Sequence, residues 1–147
     1  MEIIRANLSH CKLLYDWRND DSTRINNFDS KLIDFKSHSD WFNDKLNSEN
    51  AIIWILLKEK RPIGQLRIEK KHNESWEIDY SIDKLFRKNG FGKYLISVCI
   101  KCQESKNLIA FVKSENIYSR KIFEDLGFTV EISDEGIHKY TKYAKKK

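Results

Sequence analysis

At 147 residues with 40% hydrophobic side chains, the chain can bury a core without staples, and one domain spanning 1–147 is expected. Cys11, Cys99 and Cys102 are odd in number, no secretory leader precedes them and no apolar run reaches membrane-spanning length, which points to a reducing cytoplasm and away from membrane partners. The net charge of +5 is moderate and sits partly in Lys139, Lys142, Lys145, Lys146 and Lys147, a solvated end rather than a nucleic-acid footprint.

Residues 1–5 read as a first strand, and Ser9 is placed to cap a helix carrying Cys11, Leu13, Leu14 and Trp17. No period holds over 19–30, which reads as a loop. Ser37 then opens a second helix with Trp41, Phe42 and Leu46. The continuous apolar run 51–57 suits a strand covered on both faces. A turn through Pro62 leads to a strand over 63–70. The next strand, 75–82, alternates Trp76, Ile78, Tyr80 and Ile82 with Glu77, Asp79 and Ser81. If Lys71-His72-Asn73 is a three-residue hairpin loop, Arg67 lies opposite Glu77 and Gln65 opposite Asp79. Beyond Gly90 and Gly92, the residues Phe91, Leu95, Val98, Cys99 and Cys102 mark one side of a helix. Residues 108–112 form a buried strand, and Asn116 precedes a helix with Ile122, Phe123 and Leu126. Gly127 is the expected C′ residue of that helix, and 128–132 with 137–143 form a terminal hairpin. The order is βααβββαβαββ, with no internal repeat or linker.

The segment Arg87-Lys88-Asn89-Gly90-Phe91-Gly92 joins an alternating strand to an apolar helix. Two glycines allow positive φ and close backbone approach, and the first N–H groups of the helix lack internal partners, so the loop is an anion cradle. Arg87, Lys88 and Lys93 add charge. The dinucleotide fingerprint does not fit, because Leu95 stands where its third glycine belongs. The P-loop does not fit either, because Tyr94 stands where a Ser or Thr hydroxyl is needed.

What remains is Arg/Gln-x-x-Gly-x-Gly/Ala between a central strand and a helix, together with a second block, Asn116-x-x-Ser119-x-x-x-Phe123-x-x-Leu126-Gly127-Phe128. With this order of elements, the chain resembles the GNAT acetyltransferase superfamily over nearly its whole length. The resemblance implies an α/β (α+β) fold with a mixed, mostly antiparallel central sheet and helices on both faces. It also implies acetyl-CoA as donor to an amine. His10, His72 and His138 have no ligand spacing, so no metal is expected, and the Ser residues have no matching His and acid constellation, so direct transfer in a ternary complex is the simpler expectation. The amides of Lys88, Asn89, Gly90, Phe91, Gly92 and Lys93 would bind the pyrophosphate. The backbone near Ile82 would pair with the pantetheine, and Asn116, Ser119 and Phe123 would flank it.

Removing a proton from the acceptor ammonium needs a base. Glu77 is the first candidate by alignment with an acidic position of the family, a structural ion pair with Arg67 is the competing reading, and Asp79 is the runner-up. Many family members carry Tyr at the position of Phe123. Since Phe has no proton to donate, Tyr118, Ser119 or water would serve if the departing thiolate needs a donor.

In the first half, Trp17-Arg18-Asn19, His38-x-x-Trp41-Phe42 and Gly64-Gln65-x-Arg67 resemble GNAT enzymes that acetylate nucleotide-linked amino sugars in pseudaminic and legionaminic acid pathways. That implies a small amine acceptor met by Trp17, Arg18, Arg24, His38, Trp41, Gln65 and Arg67. Core packing is the competing reading for the aromatic residues. A protein N-terminus or lysine as acceptor, and a non-catalytic acyl-CoA-binding module, stay open, as does monomer or homodimer. Cys99-x-x-Cys102 reads as a pair of small core residues rather than a metal site.

Overall fold

The computed structural model describes residues 1–28 and 31–145. Lys146, Lys147 and two positions of the expected 19–30 loop therefore lie outside the description. The described residues form one seven-stranded sheet. In chain order its strands are β1 (Glu2–Arg5), β2 (Ala51–Lys58), β3 (Arg61–Lys70), β4 (Ser75–Ile82), β5 (Asn107–Lys113), β6 (Thr129–Ile132) and β7 (Ile137–Lys142). The spatial order is β1-β2-β3-β4-β5-β7-β6, and only the β4–β5 pair is parallel.

Among the described residues five α-helices join the strands: α1 (Cys11–Arg18), α2 (Asp21–Asn26), α3 (Phe35–Leu46), α4 (Phe91–Cys102) and α5 (Ile117–Asp125). The helix α2 replaces the first part of the expected loop. It is a short, polar helix with no apolar stripe, held instead by its Asp20 cap, whose carboxylate accepts from Thr23 N–H. Two cap assignments also shift. Asn7, not Ser9, caps the turn that leads into α1, and Asp34 caps α3 while Ser37 is its donor. Gly127 sits beyond the end of α5 at φ +84°, the left-handed conformation expected of a C′ glycine.

The alternation of β2 divides its side chains between two cores, as a strand covered on both faces requires. Ile53 and Ile55 pack with Leu14, Trp17 and Phe42 beneath α1 and α3, while Leu56 joins Leu66, Ile78, Leu95, Ile96 and Phe123 beneath α4 and α5. Each of these buried aliphatic or aromatic side chains contributes about 1.5–3 kcal/mol by transfer from water. Cys99 belongs to the second core, but Cys102 is exposed, so the two are not a buried pair. Lys139 and Lys142 are paired residues of β7 and Lys145 contacts Glu104, so the tail charge is partly built into the fold.

The β3–β4 register differs from the expected one by two residues. Glu69 faces Glu77, Arg67 faces Asp79 and Gln65 faces Ser81. The cause is the position of the turn: Lys71 N–H donates to Ser75 O, so the three loop residues are His72, Asn73 and Glu74, one residue later than expected, with Asn73 and Glu74 at positive φ. A shift of two keeps every side chain on its expected face, so Glu77, Asp79 and Ser81 still share a face with Gln65, Arg67 and Glu69.

Candidate active site

The site originates in a gap. β4 and β5 pair only from Ser75↔Asn107 to Glu77↔Ile109, although both strands continue. From Ile78 onward β4 is paired with β3 on one side and has no strand on the other. Two cavities meet at this parting, one of about 300 Å³ on the α4–α5 side and one of about 270 Å³ on the α1–α3 side. Ile78, Asp79, Tyr80 and Ser81 line both, as do Thr23, Asn26 and Asn27 of the α2 region and Phe111 of β5.

The first cavity contains the glycine loop. Gly90 takes φ +82° at the N-cap of α4, and no side chain caps this helix. Asp20, Asp34 and Asn116 perform that service for α2, α3 and α5. The amides of Phe91, Gly92 and Lys93 thus present a free first turn. At Gly92 an added Cβ would stand 2.9 Å from the Tyr80 ring, so this glycine is required by close packing. Of the residues the sequence singles out, Ile82, Arg87, Lys88, Phe91, Gly92, Asn116, Tyr118, Ser119 and Phe123 line this cavity.

Several side chains of that set also hold contacts within the protein. Arg87 turns back to donate to Ile82 O at 2.9 Å and to Asp20 at 2.8 Å, so it fastens the loop to α2 instead of offering a free cation. Asn89 donates to Phe86 O and Arg87 O and shapes the turn. Lys93 lies 3.5 Å from Asp125 across α4 and α5. The Phe123 ring is buried at 1% exposure, edge-on to Phe128 and stacked on Tyr140.

On the opposite face, charges arrange themselves around Arg67. Its guanidinium contacts Glu69 at 2.7 Å and Asp79 at 3.7 Å and lies over the Trp41 ring at 4.8 Å. Glu69 also meets Lys45 at 2.9 Å and Lys71 at 3.4 Å. Burial raises the pKa of Glu69, but those cations outweigh it and the net shift is downward. Glu77 has no ion-pair partner among the described residues. Burial pushes its pKa up, with the Asp79 and Glu69 charges adding to the rise and Lys71 and Arg67 opposing it. The Arg67–Glu77 pair does not form, because the register sets Arg67 opposite Asp79 and its guanidinium also meets Glu69 along its own strand.

Arg18, His38, Trp41, Gln65 and Arg67 all line the second cavity, with Glu77 and Asp79. Arg18 lies over Trp41 at 6.0 Å. His38 is buried, its Nε2–H donates to Cys11 O at 3.0 Å, and burial pushes its pKa down. Trp17 is different: its indole N–H donates to Asp83 at 3.0 Å within the α1–α3 core, and it lines neither cavity. Arg24 lies on α2 and also lines neither.

Tyr80 is the site residue that sequence reasoning passed over. Alternation places it on the core face of β4, where an aromatic side chain reads as packing. Its hydroxyl nevertheless lies 2.6 Å from Ser119 Oγ, and burial pushes its pKa up to about 12. Only the adjacency of β4 to α5, which the sequence pattern does not display, brings the two hydroxyls together. Among the described residues no His, Cys, Asp and Glu cluster could hold a metal ion, and no helix is long and apolar enough to cross a membrane.

Solved structures share this fold. The chain superposes on yncA of Salmonella typhimurium, determined with acetyl-CoA, with TM-score 0.84 at 15% identity, covering 100% of this chain and 95% of that one. A ribosomal-protein-alanine N-acetyltransferase from Brucella melitensis gives 0.84 at 17% identity over 97% and 99% of the two chains. Spermidine N-acetyltransferase from Vibrio cholerae, determined with CoA and spermine, gives 0.86 at 14% identity over 97% and 95%. At such identities the likeness is one of fold. No curated protein matches the sequence. The sequence model of the acetyltransferase (GNAT) domain matches residues 2–129, and with the glycine loop, the parted strands and the Asn116 helix in place, the chain belongs to the GNAT acetyltransferase family.

Proposed function

We propose that this acetyltransferase moves an acetyl group from acetyl-CoA to the primary amine of a nucleotide-linked amino sugar. The observation that carries the reading is the meeting of two cavities at the β4–β5 parting, one beneath an uncapped glycine-rich helix start and one lined by arginines, Trp41 and carboxylates. The amides of Phe91, Gly92 and Lys93 suit a pyrophosphate, and the strand edge beyond Ile78 suits an extended pantetheine arm. When bound, acetyl-CoA supplies an activated acyl group.

Glu77 accepts the proton of the acceptor ammonium, directly or through water. Its raised pKa makes it a stronger base than an exposed carboxylate. Asp79, shared with Arg67 and with Gln65 at 3.4 Å, orients the amine. Arg18, stacked on Trp41 and free of a carboxylate partner among the described residues, faces an acceptor phosphate. Trp41 offers a ring face for a base or sugar.

A polyamine is the second reading, favoured by Glu77 and Asp79 together and by the fold shared with the Vibrio spermidine enzyme. Arg18 and Arg67 in the same cavity oppose a polycation. A peptide acceptor would need an open groove rather than this cavity. Thiol release from acetyl-CoA measured with a UDP-linked amino sugar, the same sugar without its nucleotide, spermidine and an alanine-initiated peptide separates these acceptors. The proposal requires the highest kcat/KM for the nucleotide-linked sugar. Preference for spermidine or the peptide overturns the acceptor, and donor binding without turnover on any amine supports a non-catalytic acyl-CoA module.

A further inference from the structure

The departing coenzyme is a thiolate, and the cavity beneath α4 and α5 has to stabilise charge on its sulfur. Phe123 offers only an apolar ring, wedged between Phe128 and Tyr140. Tyr118 is 47% exposed, so its hydroxyl competes with water. Tyr80 differs from both. It lines the two cavities where they meet, its ring is held edge-on by Phe123 at a centroid distance of 6.3 Å, and Gly92 leaves it room that a methyl group would fill. Its hydroxyl is 2.6 Å from Ser119 Oγ. Few rotors remain to be frozen during the reaction, which is what an electrostatic stabiliser needs.

We propose that Tyr80, positioned by Ser119, is the hydrogen-bond donor that stabilises the coenzyme A thiolate as it leaves. The inference rests on the acetyl-CoA reading above. Ser119 Oγ–H donates to the phenol oxygen, and the phenol O–H then points to the sulfur. The amine nitrogen forms the new bond to the acetyl carbon, the carbon–sulfur bond breaks, and its electron pair stays on sulfur. The ammonium proton goes to Glu77, and the thiolate takes its own proton from water after release. Tyr80 keeps its proton throughout. Burial holds the phenol pKa at about 12, with the Ser119 hydrogen bond pulling the other way. A group with that affinity for its proton is a poor acid but a persistent donor.

The test uses coenzyme A labelled with carbon-13 at the methylene beside sulfur and follows its chemical shift against pH when bound. Tyr80→Phe keeps the ring packing against Gly92 and Phe123 and removes only the hydroxyl. The thiol bound to wild-type protein is expected to be at least about tenfold more acidic than the thiol bound to Tyr80→Phe, the weight of a hydrogen bond to a charged acceptor. Ser119→Ala should shift it the same way by less. Equal thiol acidity in wild type and Tyr80→Phe overturns the inference while leaving the acetyl-CoA reading intact. Failure of coenzyme A to bind wild type overturns both. With an amine that wild type acetylates, Tyr80→Phe is expected to lower kcat about 10²-fold with donor KM within twofold; a rise in KM at constant kcat assigns Tyr80 to packing.

Discussion

Gly92→Ala tests the coupling between the glycine loop and the catalytic strand. The new Cβ would lie 2.9 Å from Tyr80 Cε2 and 3.5 Å from Ile122 Cδ1. Carbon atoms rest at about 3.5–4.0 Å, so the ring must recede by roughly 0.6 Å. It cannot swing freely, because its hydroxyl is held by Ser119 and its edge by Phe123. Overpacking of this kind costs about 1–3 kcal/mol, and replacing a helical glycine by alanine returns up to about 1 kcal/mol. The net loss is therefore about 0–3 kcal/mol, a fall in Tm of at most about 12 °C at this size. Activity should suffer more, because a displacement of about 1 Å in a reacting constellation costs on the order of 10²-fold; kcat is expected to fall by some tens-fold. Gly90→Ala is the control. Its Cβ meets nothing, yet φ +82° costs a non-glycine residue about 1–2 kcal/mol. Both variants should melt alike, measured by calorimetry, while only Gly92→Ala loses kcat in a thiol-release assay. If the two retain equal kcat, the close packing of Gly92 on Tyr80 has no part in catalysis.

Three other substitutions test the site. Glu77→Gln should abolish the rise of kcat/KM with pH that the base produces, and an unchanged pH–rate profile would eliminate Glu77 as that base. The same variant should be more thermostable at neutral pH. A carboxyl whose folded pKa is raised binds its proton more tightly in the native state, so its contribution to stability falls as pH climbs from the unfolded value through the folded one. The advantage should vanish below about pH 3, well under the unfolded Glu value of about 4.3, where both states are protonated. Asp20→Asn removes the 2.8 Å contact that ties α2 to Arg87. It should raise KM for donor and acceptor together, since α2 borders both cavities, and steady-state kinetics with either substrate varied will show it. Burial alone would raise the Asp20 pKa, but the Arg87 hydrogen bond and the Thr23 amide lower it overall. The contact is therefore present above the unfolded value and lost in wild type as pH falls through the lower folded one, where the two proteins should converge. Arg18→Ala should raise KM for a nucleotide-linked acceptor about tenfold, roughly one charge-assisted hydrogen bond, and leave the acetyl-CoA KM unchanged. Equal effects on both KM values would remove Arg18 from the acceptor site.

Local pattern carried much of this fold. The alternation in 75–82 assigned β4 and its two faces, and the apolar run in β2 matched a strand between two cores. Gly127 was legible because a left-handed residue after a helix has a strong chemical preference. The failures come from non-local causes. The β3–β4 register was missed because two non-glycine residues, Asn73 and Glu74, adopt positive φ, which their identities do not announce. The helix α2 was missed because it is polar and tied down by Asp20 and by Arg87, a residue far away in sequence. At the site, the glycine-rich start of α4 was legible from its two glycines, whereas the contacts of Arg87 with Asp20 and Ile82 O, the first of them 67 positions away, were not. The ion-pair reading of Glu77 followed from the wrong register. Tyr80 was hidden for the opposite reason: it obeyed the pattern, and a core-facing tyrosine reveals its hydroxyl's partner only in three dimensions.

Mass spectrometry of a mixed-acceptor reaction tests the central claim most directly. Wild-type protein is incubated with acetyl-CoA and an equimolar panel of a UDP-linked amino sugar, the free amino sugar, spermidine and an alanine-initiated peptide, and each product is quantified against a Glu77→Gln control. The account predicts one acetyl group added to the nucleotide-linked sugar ahead of every competitor, with the product largely lost in Glu77→Gln. Acetylation of none of the four by a protein that binds acetyl-CoA would contradict it.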